Sequence, residues 1–202
     1  MNNQGLLVVV SGPSGCGKGT VLAELMKQNA NLFYSVSATT RSPREGEVDG
    51  KNYHFLSRAA FQKMIEEDGV LEYAEYCGNY YGTPRQAVFD QCAQGRDVIL
   101  EIEVQGAMQV KKRCPEAVMI FILPPSMEEL SSRLTGRGTE AAETVENRLR
   151  TAVEEISHAP EYDYLVINDD VPRAVESIAA VLEAARYTSK RMRPFVDALL
   201  NK

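Results

Sequence analysis

The chain has 202 residues, of which 44% are hydrophobic and 25% are charged, and its formal net charge is −6 at pH 7. This length predicts one compact α/β unit, the acidic balance argues against general nucleic-acid binding, and no apolar run approaches the ~20 residues of a membrane span. The first residues, MNNQG, lack the basic start of a signal peptide, so we expect a cytoplasmic protein.

The amino-terminal segment predicts a buried strand, a glycine-rich turn and a helix. Residues 6–10 are all apolar, and apolar side chains recur at helical spacing from 20 to 28. The intervening GPSGCGKG, which starts at Gly12, matches the phosphate loop Gly-x-x-x-x-Gly-Lys-[Ser/Thr] except at Gly19, where the pattern has a hydroxyl. Glycines let backbone N–H groups face one concavity, the helix N-terminus adds positive charge, and Lys18 can reach the outer phosphates. We therefore predict a nucleotide-phosphate site, in which Thr20 either contacts a phosphate or only begins the helix.

Further strands and helices alternate along the chain. Apolar runs at 97–102, 118–123 and 164–167 predict buried strands, and apolar stripes at 57–68, 128–134, 145–156 and 174–187 predict helices. Ser126 and Glu129 have the spacing of a capping box at the start of one of these helices. The alternation is typical of a parallel sheet with helices on both faces.

Two segments depart from this alternation. Residues 37–92 contain short aromatic and polar stretches with turn signals, which predicts an inserted lobe. Residues 133–150 carry Gly136, Gly138 and four arginines, which is typical of a mobile lid. We therefore expect a core of residues 1–36, 93–125 and 160–202, a lobe of 37–92 and a lid of 126–159.

The cysteines indicate neither a metal site nor disulfides. The four cysteines lie far apart, without a C-x-x-C pair or a histidine at metal-ligand spacing, so we expect free thiols at Cys16, Cys77, Cys92 and Cys114.

The predicted lobe contains a candidate second anion site. Arg41 and Arg44 stand three residues apart, with the hydroxyls of Ser37 and Thr39 close in sequence and Tyr53 downstream. Such clustered donors suit a phosphate monoester. A solvated basic face is the alternative.

Six stretches together resemble the guanylate kinase family. They are TTRSPREGEVDGKNYHF (39–55), GNYYGT (78–83), ILEIEVQG (99–106), FILPPS (121–126), RLTGRGT (133–139) and NDD (168–170), and they follow the family's order. The resemblance implies a three-layer α/β phosphate-loop core with a central parallel sheet, an inserted GMP-binding lobe with a small mixed sheet, and a helical lid. It also implies the reaction, transfer of the γ-phosphoryl group of ATP to GMP, and to dGMP, in purine nucleotide metabolism.

The same resemblance carries roles to matching positions. For ATP it implies Gly12, Pro13, Ser14, Gly15, Cys16, Gly17, Lys18, Gly19, Thr20, Arg137 and Asn168, with Asn168 near the adenine. For GMP it implies Ser37, Arg41, Arg44, Tyr53 and Tyr81 at the phosphate, and Glu72, Thr83 and Glu103 around the guanine. The implied catalytic residues are Lys18, Arg41, Arg133, Arg137 and Arg148.

The guanine assignment also makes chemical sense. An ionised Glu72 can accept hydrogen bonds from N1–H and the 2-amino group of guanine, and Thr83 can donate to O6, a pattern that adenine inverts. We therefore expect AMP to be disfavoured. At Glu103 the family often has aspartate, so the longer side chain here must reposition its carboxylate or contact the base through water.

Magnesium should bridge the phosphates and be held largely through water. We expect no direct metal ligand, with Glu101 as the one candidate for a protein contact. The small-molecule partners are thus ATP and GMP, with neither nucleic acid nor membrane, and a homo-oligomer is left open.

Three other interpretations are less favoured. A GTPase would need Asp-x-x-Gly and Asn-Lys-x-Asp elements, which the chain lacks. A binding module without catalysis would typically have a degraded phosphate loop. A kinase for another phosphate acceptor, such as a ribose bisphosphate, would not need Glu72 and Thr83 to read guanine.

Overall fold

A computed structural model describes residues 4–135 and 142–201. The strands are β1 (Leu7–Ser11), β2 (Leu32–Tyr34), β3 (Ala38–Thr39), β4 (His54–Phe55), β5 (Val70–Tyr76), β6 (Asn79–Pro84), β7 (Asp97–Glu101), β8 (Val118–Leu123) and β9 (Tyr164–Ile167). The helices are α1 (Lys18–Gln28), α2 (Arg58–Glu66), α3 (Arg85–Ala93), α4 (Val104–Arg113), α5 (Met127–Thr135), α6 (Ala142–Ser157), α7 (Val171–Arg186) and α8 (Ser189–Leu200).

The main sheet has five parallel strands in the order β2-β7-β1-β8-β9. Because side chains alternate along a strand, β1 supplies both faces: Val8 and Val10 pack in one core cluster, and Leu7 and Val9 in another. The first cluster includes residues of α1 and α7, and the second includes residues of α3 and α4. The predicted parallel sheet with helices on both faces is confirmed.

A second, smaller sheet has the order β4-β3-β6-β5. Its β3–β4 pair is parallel and its other two pairs are antiparallel, so the sheet is mixed, as expected from the resemblance. Helix α2 starts at its N-cap Ser57, whose side chain accepts a hydrogen bond from the N–H of Ala60. The buried Phe61 of α2 packs with Ala38 and Val70 of the small sheet.

Helices α5 and α6 share a small apolar cluster of their own. It joins Leu130 and Leu134 of α5 to Val145 and Ala152 of α6. The predicted cap is present, since the N–H of Glu129 donates to Oγ of Ser126 at 3.1 Å. This cluster holds α5 and α6 together next to the phosphate loop.

In the described part of the chain, no helix is both long and apolar enough to cross a membrane. Cys16, Cys77, Cys92 and Cys114 carry free thiols.

Candidate active site

The glycine-rich turn connects β1 to α1 in a form that depends on glycine. Gly17 caps α1 with a φ of 92°, in the left-handed region that side chains disfavour. A Cβ there would also lie 2.5 Å from Nδ2 of Asn168. The ammonium of Lys18 folds back along the turn and donates to the carbonyl oxygen of Gly12 at 2.6 Å. The turn therefore has the strand-to-helix setting of a phosphate loop.

Two side chains stabilise this loop by donating hydrogen bonds to the carbonyl oxygen of Cys16. Nδ2 of Asn168 donates to that oxygen at 2.8 Å, and Nη1 of Arg133 at 3.3 Å. Arg133 also donates to the carbonyl of Asn168 at 3.1 Å and to Oε1 of Glu129 at 2.9 Å. Its guanidinium thus ties α5 to the loop and to the end of β9.

Helix α6 contacts Ser14 of the phosphate loop through two side chains. Nη2 of Arg148 donates to Oγ of Ser14 at 2.9 Å, and the N–H of Ser14 donates to Oε2 of Glu155 at 3.4 Å. Burial raises the pKa of Glu155, while the Ser14 N–H and the charge of Lys18 oppose the shift.

A cleft of about 530 Å³, hereafter the central cleft, opens where β1, β2 and β7 end and faces the small sheet. Its lining includes Gly12, Ser14 and Lys18 of the loop, Ser37, Tyr53, Glu72 and Tyr81 of the segment with the small sheet, Tyr34, Glu101 and Glu103 at strand ends, and Glu155 of α6. Parallel sheets of this class bind ligands at the carboxyl ends of their strands.

One wall of the central cleft holds a buried carboxylate. Glu72 is only 6% exposed, and its Oε1 accepts a 2.7 Å hydrogen bond from the hydroxyl of Thr83. A Cβ at Gly106 would lie 2.6 Å from Oε2 of Glu72, so the absence of a side chain there makes room for the carboxylate. Burial raises the pKa of Glu72, and the nearby charge of Glu103 acts in the same direction.

Beside this wall, Glu47 holds the predicted arginine pair. It accepts two 2.9 Å hydrogen bonds from Arg41 and one of 2.7 Å from the backbone N–H of Arg44. These bonds lower the pKa of Glu47 to about 2. The guanidinium of Arg41 lies 5.5 Å from the ring centre of Tyr53, which in turn makes an edge contact with Tyr81.

At the end of β7, Glu101 pairs with Val10 of β1 in the sheet register and accepts a 2.9 Å hydrogen bond from the hydroxyl of Tyr34. Burial, and next the charge of Glu101, raise the pKa of that tyrosine. The carboxylate of Glu101 is thus oriented in the lining of the central cleft.

Comparison with known proteins agrees with this geometry. The sequence model of the family described as guanylate kinase matches residues 4–185. The chain belongs to the guanylate kinase family.

Similar proteins cover nearly the whole chain. Guanylate kinase of Desulfitobacterium hafniense (strain Y51) is 56% identical over 194 residues, which is 96% of each chain. That of Carboxydothermus hydrogenoformans is 54% identical over 190 residues, which is 94% of this chain and 93% of the relative. The crystal structure of guanylate kinase from Anaplasma phagocytophilum superimposes with a TM-score of 0.77 at 34% identity and covers 98% of this chain and 96% of that one.

The structure brings many, but not all, of the predicted site residues to the central cleft. Those in its lining are Gly12, Ser14, Lys18, Ser37, Tyr53, Glu72, Tyr81, Glu101 and Glu103, and Thr83 reaches it through Glu72. Pro13, Gly15, Cys16, Gly17, Gly19 and Thr20 belong to the loop and the start of α1. Arg41 and Arg44 contact Glu47, Arg148 contacts the loop, and Arg133 and Asn168 lie behind it. Arg137 lies outside the described residues.

Some polar residues at the site were not predicted. Tyr34 and Glu155 line the central cleft, and Glu47 holds Arg41 beside it. Glu47 stands inside the stretch 39–55, six residues after Arg41, so an ion pair between them could have been inferred. Tyr34 and Glu155 have no such local signal, because their partners are distant in sequence. Among the described residues, no group of three or more His, Cys, Asp or Glu side chains could hold a metal ion.

Proposed function

We propose that the central cleft is where this chain carries out the reaction of its family. The chain is an enzyme that transfers the γ-phosphoryl group of ATP to GMP, giving ADP and GDP. The observation that carries the site assignment is that one cleft joins Lys18 of the phosphate loop to the buried carboxylate of Glu72.

On the nucleotide-donor side, the phosphate loop from Gly12 to Gly19 and the start of α1 cradle the phosphates of ATP, and Lys18 binds the β- and γ-phosphates. Phosphoryl transfer needs positioning and charge neutralisation more than covalent help from the protein. Arg148 and Arg137 act from the lid on the transferring group. Asn168 lies near the adenine. The contact of Arg148 with Ser14 supports its assignment.

Arg133 is also proposed to reach the transferring phosphoryl group. Its guanidinium is engaged by the carbonyls of Cys16 and Asn168 and by Glu129. A direct contact with phosphate therefore requires these bonds to exchange.

On the acceptor side, Ser37, Arg41, Arg44, Tyr53 and Tyr81 bind the phosphate of GMP. Glu72, Thr83 and Glu103 surround the guanine. The carboxylate of Glu72 accepts from N1–H and the 2-amino group, and an adenine would leave these acceptors unpaired, which costs affinity. We propose that dGMP is accepted too, since the cleft residues assigned here address base and phosphate.

The site also suits magnesium. Glu101 presents a carboxylate in the lining of the same cleft as Lys18, and hard oxygen ligands are those that Mg²⁺ prefers. Mg²⁺ bound between the phosphates would neutralise charge on the transferring group. Water would fill most of its coordination sphere, with Glu101 as the candidate protein contact.

The parts of the molecule divide the work in this proposal. Residues 1–36, 93–125 and 160–202 form the core, 37–92 the GMP-binding lobe and 126–159 the lid. We place the enzyme in the cytoplasm, in purine nucleotide metabolism. Its cysteine thiols and chain composition are consistent with that compartment.

A coupled ADP-release assay tests this function and its base specificity. Purified enzyme with ATP and Mg²⁺ is presented with GMP, dGMP, AMP, UMP or ribose 1,5-bisphosphate, and Lys18→Ala serves as the inactive control. We expect turnover with GMP and dGMP and at most trace turnover with the others. Equal turnover of AMP and GMP would contradict the assignment of Glu72 and Thr83, and no turnover with any acceptor would favour a binding module.

A further inference from the structure

Glu155 is a carboxylate that contacts the phosphate loop. It projects from α6 into the lining of the central cleft, which Gly12, Ser14 and Lys18 of the phosphate loop also line. Of the described side chains that line this cleft, four are carboxylates and one is an ammonium group. A triphosphate would add further negative charge to this set.

The carboxylate of Glu155 holds the hydrogen-bond donor that a phosphate would take. The N–H of Ser14 donates to Oε2 of Glu155 at 3.4 Å, which is at the long end of the hydrogen-bond range. The charge of Lys18 is close enough to act on the Glu155 carboxyl. Glu155 therefore already interacts with two of the three features of the phosphate loop that attract anions, a backbone N–H and the lysine.

The contact is positioned by the packing of α6. Arg148 lies about two turns earlier on the same helix and donates to the hydroxyl of Ser14. Leu149 packs with Leu130 and Leu134, and Ile156 packs against the core cluster beneath the main sheet. Apolar contacts beside Arg148 and beside Glu155 therefore hold α6 in a position from which both side chains reach Ser14.

We propose that the Glu155 carboxylate is an internal anion of the phosphate loop, which competes with the phosphates of ATP for the N–H of Ser14 and the charge of Lys18. The long contact with Ser14 makes the carboxylate displaceable. Nucleotide binding must then move Glu155 out of the loop, so the affinity for the donor nucleotide is coupled to a displacement at α6. This inference rests on the proposed placement of ATP at the loop.

Isothermal titration with ADP and Mg²⁺ tests the proposal. We compare the wild type with Glu155→Gln, which keeps the shape of the side chain and removes its charge. Glu154→Gln is the matched control, since Glu154 is the exposed neighbour on the same helix and the change in net charge is identical. If Glu155→Gln does not fold, Glu155→Ala removes the same charge.

We expect Glu155→Gln to bind ADP about fivefold tighter than the wild type or more, at the low end of measured coupling between sites. Glu154→Gln should bind ADP as the wild type does, and in Glu155→Gln the affinity for GMP should change much less than the affinity for ADP. Inorganic pyrophosphate should show the same ranking as ADP, because the competition concerns phosphates and not the base.

Unchanged or weaker ADP binding by Glu155→Gln would overturn the inference, as would equal tightening by Glu154→Gln, which would point to net charge alone. A wild type that binds GMP but neither ADP nor pyrophosphate would instead overturn the placement of ATP at the loop. The two failures are therefore distinguishable.

Discussion

The hydroxyl of Thr83 donates a 2.7 Å hydrogen bond to a carboxylate oxygen of Glu72, a side chain of which only 6% is exposed. The second oxygen of Glu72 occupies space left by the missing side chain of Gly106. A buried carboxylate is costly without partners. Strand β5, strand β6 and helix α4 therefore meet at one acceptor group in the wall of the central cleft.

Glu72→Gln should weaken the recognition of guanine. The amide keeps one acceptor but loses the charge and the second acceptor, so one donor of the base is left without a partner. We expect a loss of about 1–3 kcal/mol of transition-state stabilisation, or roughly 5- to 150-fold in kcat/KM for GMP. Steady-state kinetics with GMP and AMP measure this, and the preference for GMP should shrink. Unchanged kcat/KM for GMP would remove Glu72 from the site.

The same substitution should stabilise the fold at neutral pH. Burial raises the pKa of Glu72 above its ordinary value of 4.5, so the folded protein holds this proton more tightly than the unfolded chain. Its contribution to the free energy of unfolding is fully present below pH 4.5 and is lost as the pH rises through the raised pKa. Glu72→Gln removes that loss, and its advantage over the wild type should therefore grow from pH 4.5 to pH 7.5.

Urea unfolding at the two pH values measures this difference. Glu66→Gln is the control, because Glu66 is exposed on α2 and loses the same charge. A wild type that is at least as stable as Glu72→Gln at pH 7.5 would show that the carboxylate is better solvated than its burial indicates. Together with the kinetics, the expected result would mean that the site gives up stability for specificity.

Substitution by alanine should change the stability of the fold in different directions at Gly17 and Gly19, which lie two residues apart in the phosphate loop. Gly17 has a φ of 92°, and a Cβ there would meet Asn168 at 2.5 Å, whereas a Cβ at Gly19 would have nothing within 4 Å. Gly17→Ala should lower the free energy of unfolding by about 1–3 kcal/mol. Gly19→Ala lies in the first turn of α1 and should be neutral or stabilising by up to about 1 kcal/mol. Thermal unfolding of both variants checks this, and similar losses in the two would contradict the geometry.

The main sheet could be predicted because local sequence determines it. Strands such as Val118–Leu123 are continuous apolar runs, as parallel strands buried on both faces must be. Strand β2 was missed because it has only three residues, Leu32–Tyr34, which is too short for an apolar pattern. Its pairing with β7, and not its own sequence, makes this segment a strand. Helix α4 was missed because Val104–Arg113 includes a glycine and ends in three basic residues, so its buried stripe is short.

The candidate site, like the fold, could be predicted only in part from the sequence. Lys18 in the phosphate loop and Arg41 in the stretch 39–55 could be named because each of these motifs is contiguous in sequence. The contact of Glu155 with Ser14 spans 141 positions of the chain, and nothing near either residue indicates it. The packing of α6 on α5 and on the core cluster next to the main sheet brings the two residues together. The contacts of Arg133 with backbone carbonyls could not be predicted either, because a sequence does not show which backbone oxygens a side chain reaches.

A substitution at Arg133 tests whether this residue acts by supporting the phosphate loop or on the transferring phosphoryl group. Its guanidinium donates to the carbonyls of Cys16 and Asn168 and to Glu129, a fork of contacts that an ammonium group cannot reproduce. Arg133→Lys should therefore lower the free energy of unfolding by about 1 kcal/mol for each lost bond at most, and it should raise the KM for ATP because the loop loses its support.

Arg150→Lys is the matched control, because Arg150 is exposed on α6 and, among the described residues, makes only a 3.5 Å ion pair with Glu146. Its stability and its kinetics should stay close to those of the wild type. A severe loss of kcat in Arg133→Lys with unchanged stability and unchanged KM for ATP would mean that Arg133 acts only on the transferring phosphoryl group. A fall in stability together with a higher KM for ATP would mean that it acts through the loop, because those two quantities share the bonds to Cys16 and Asn168.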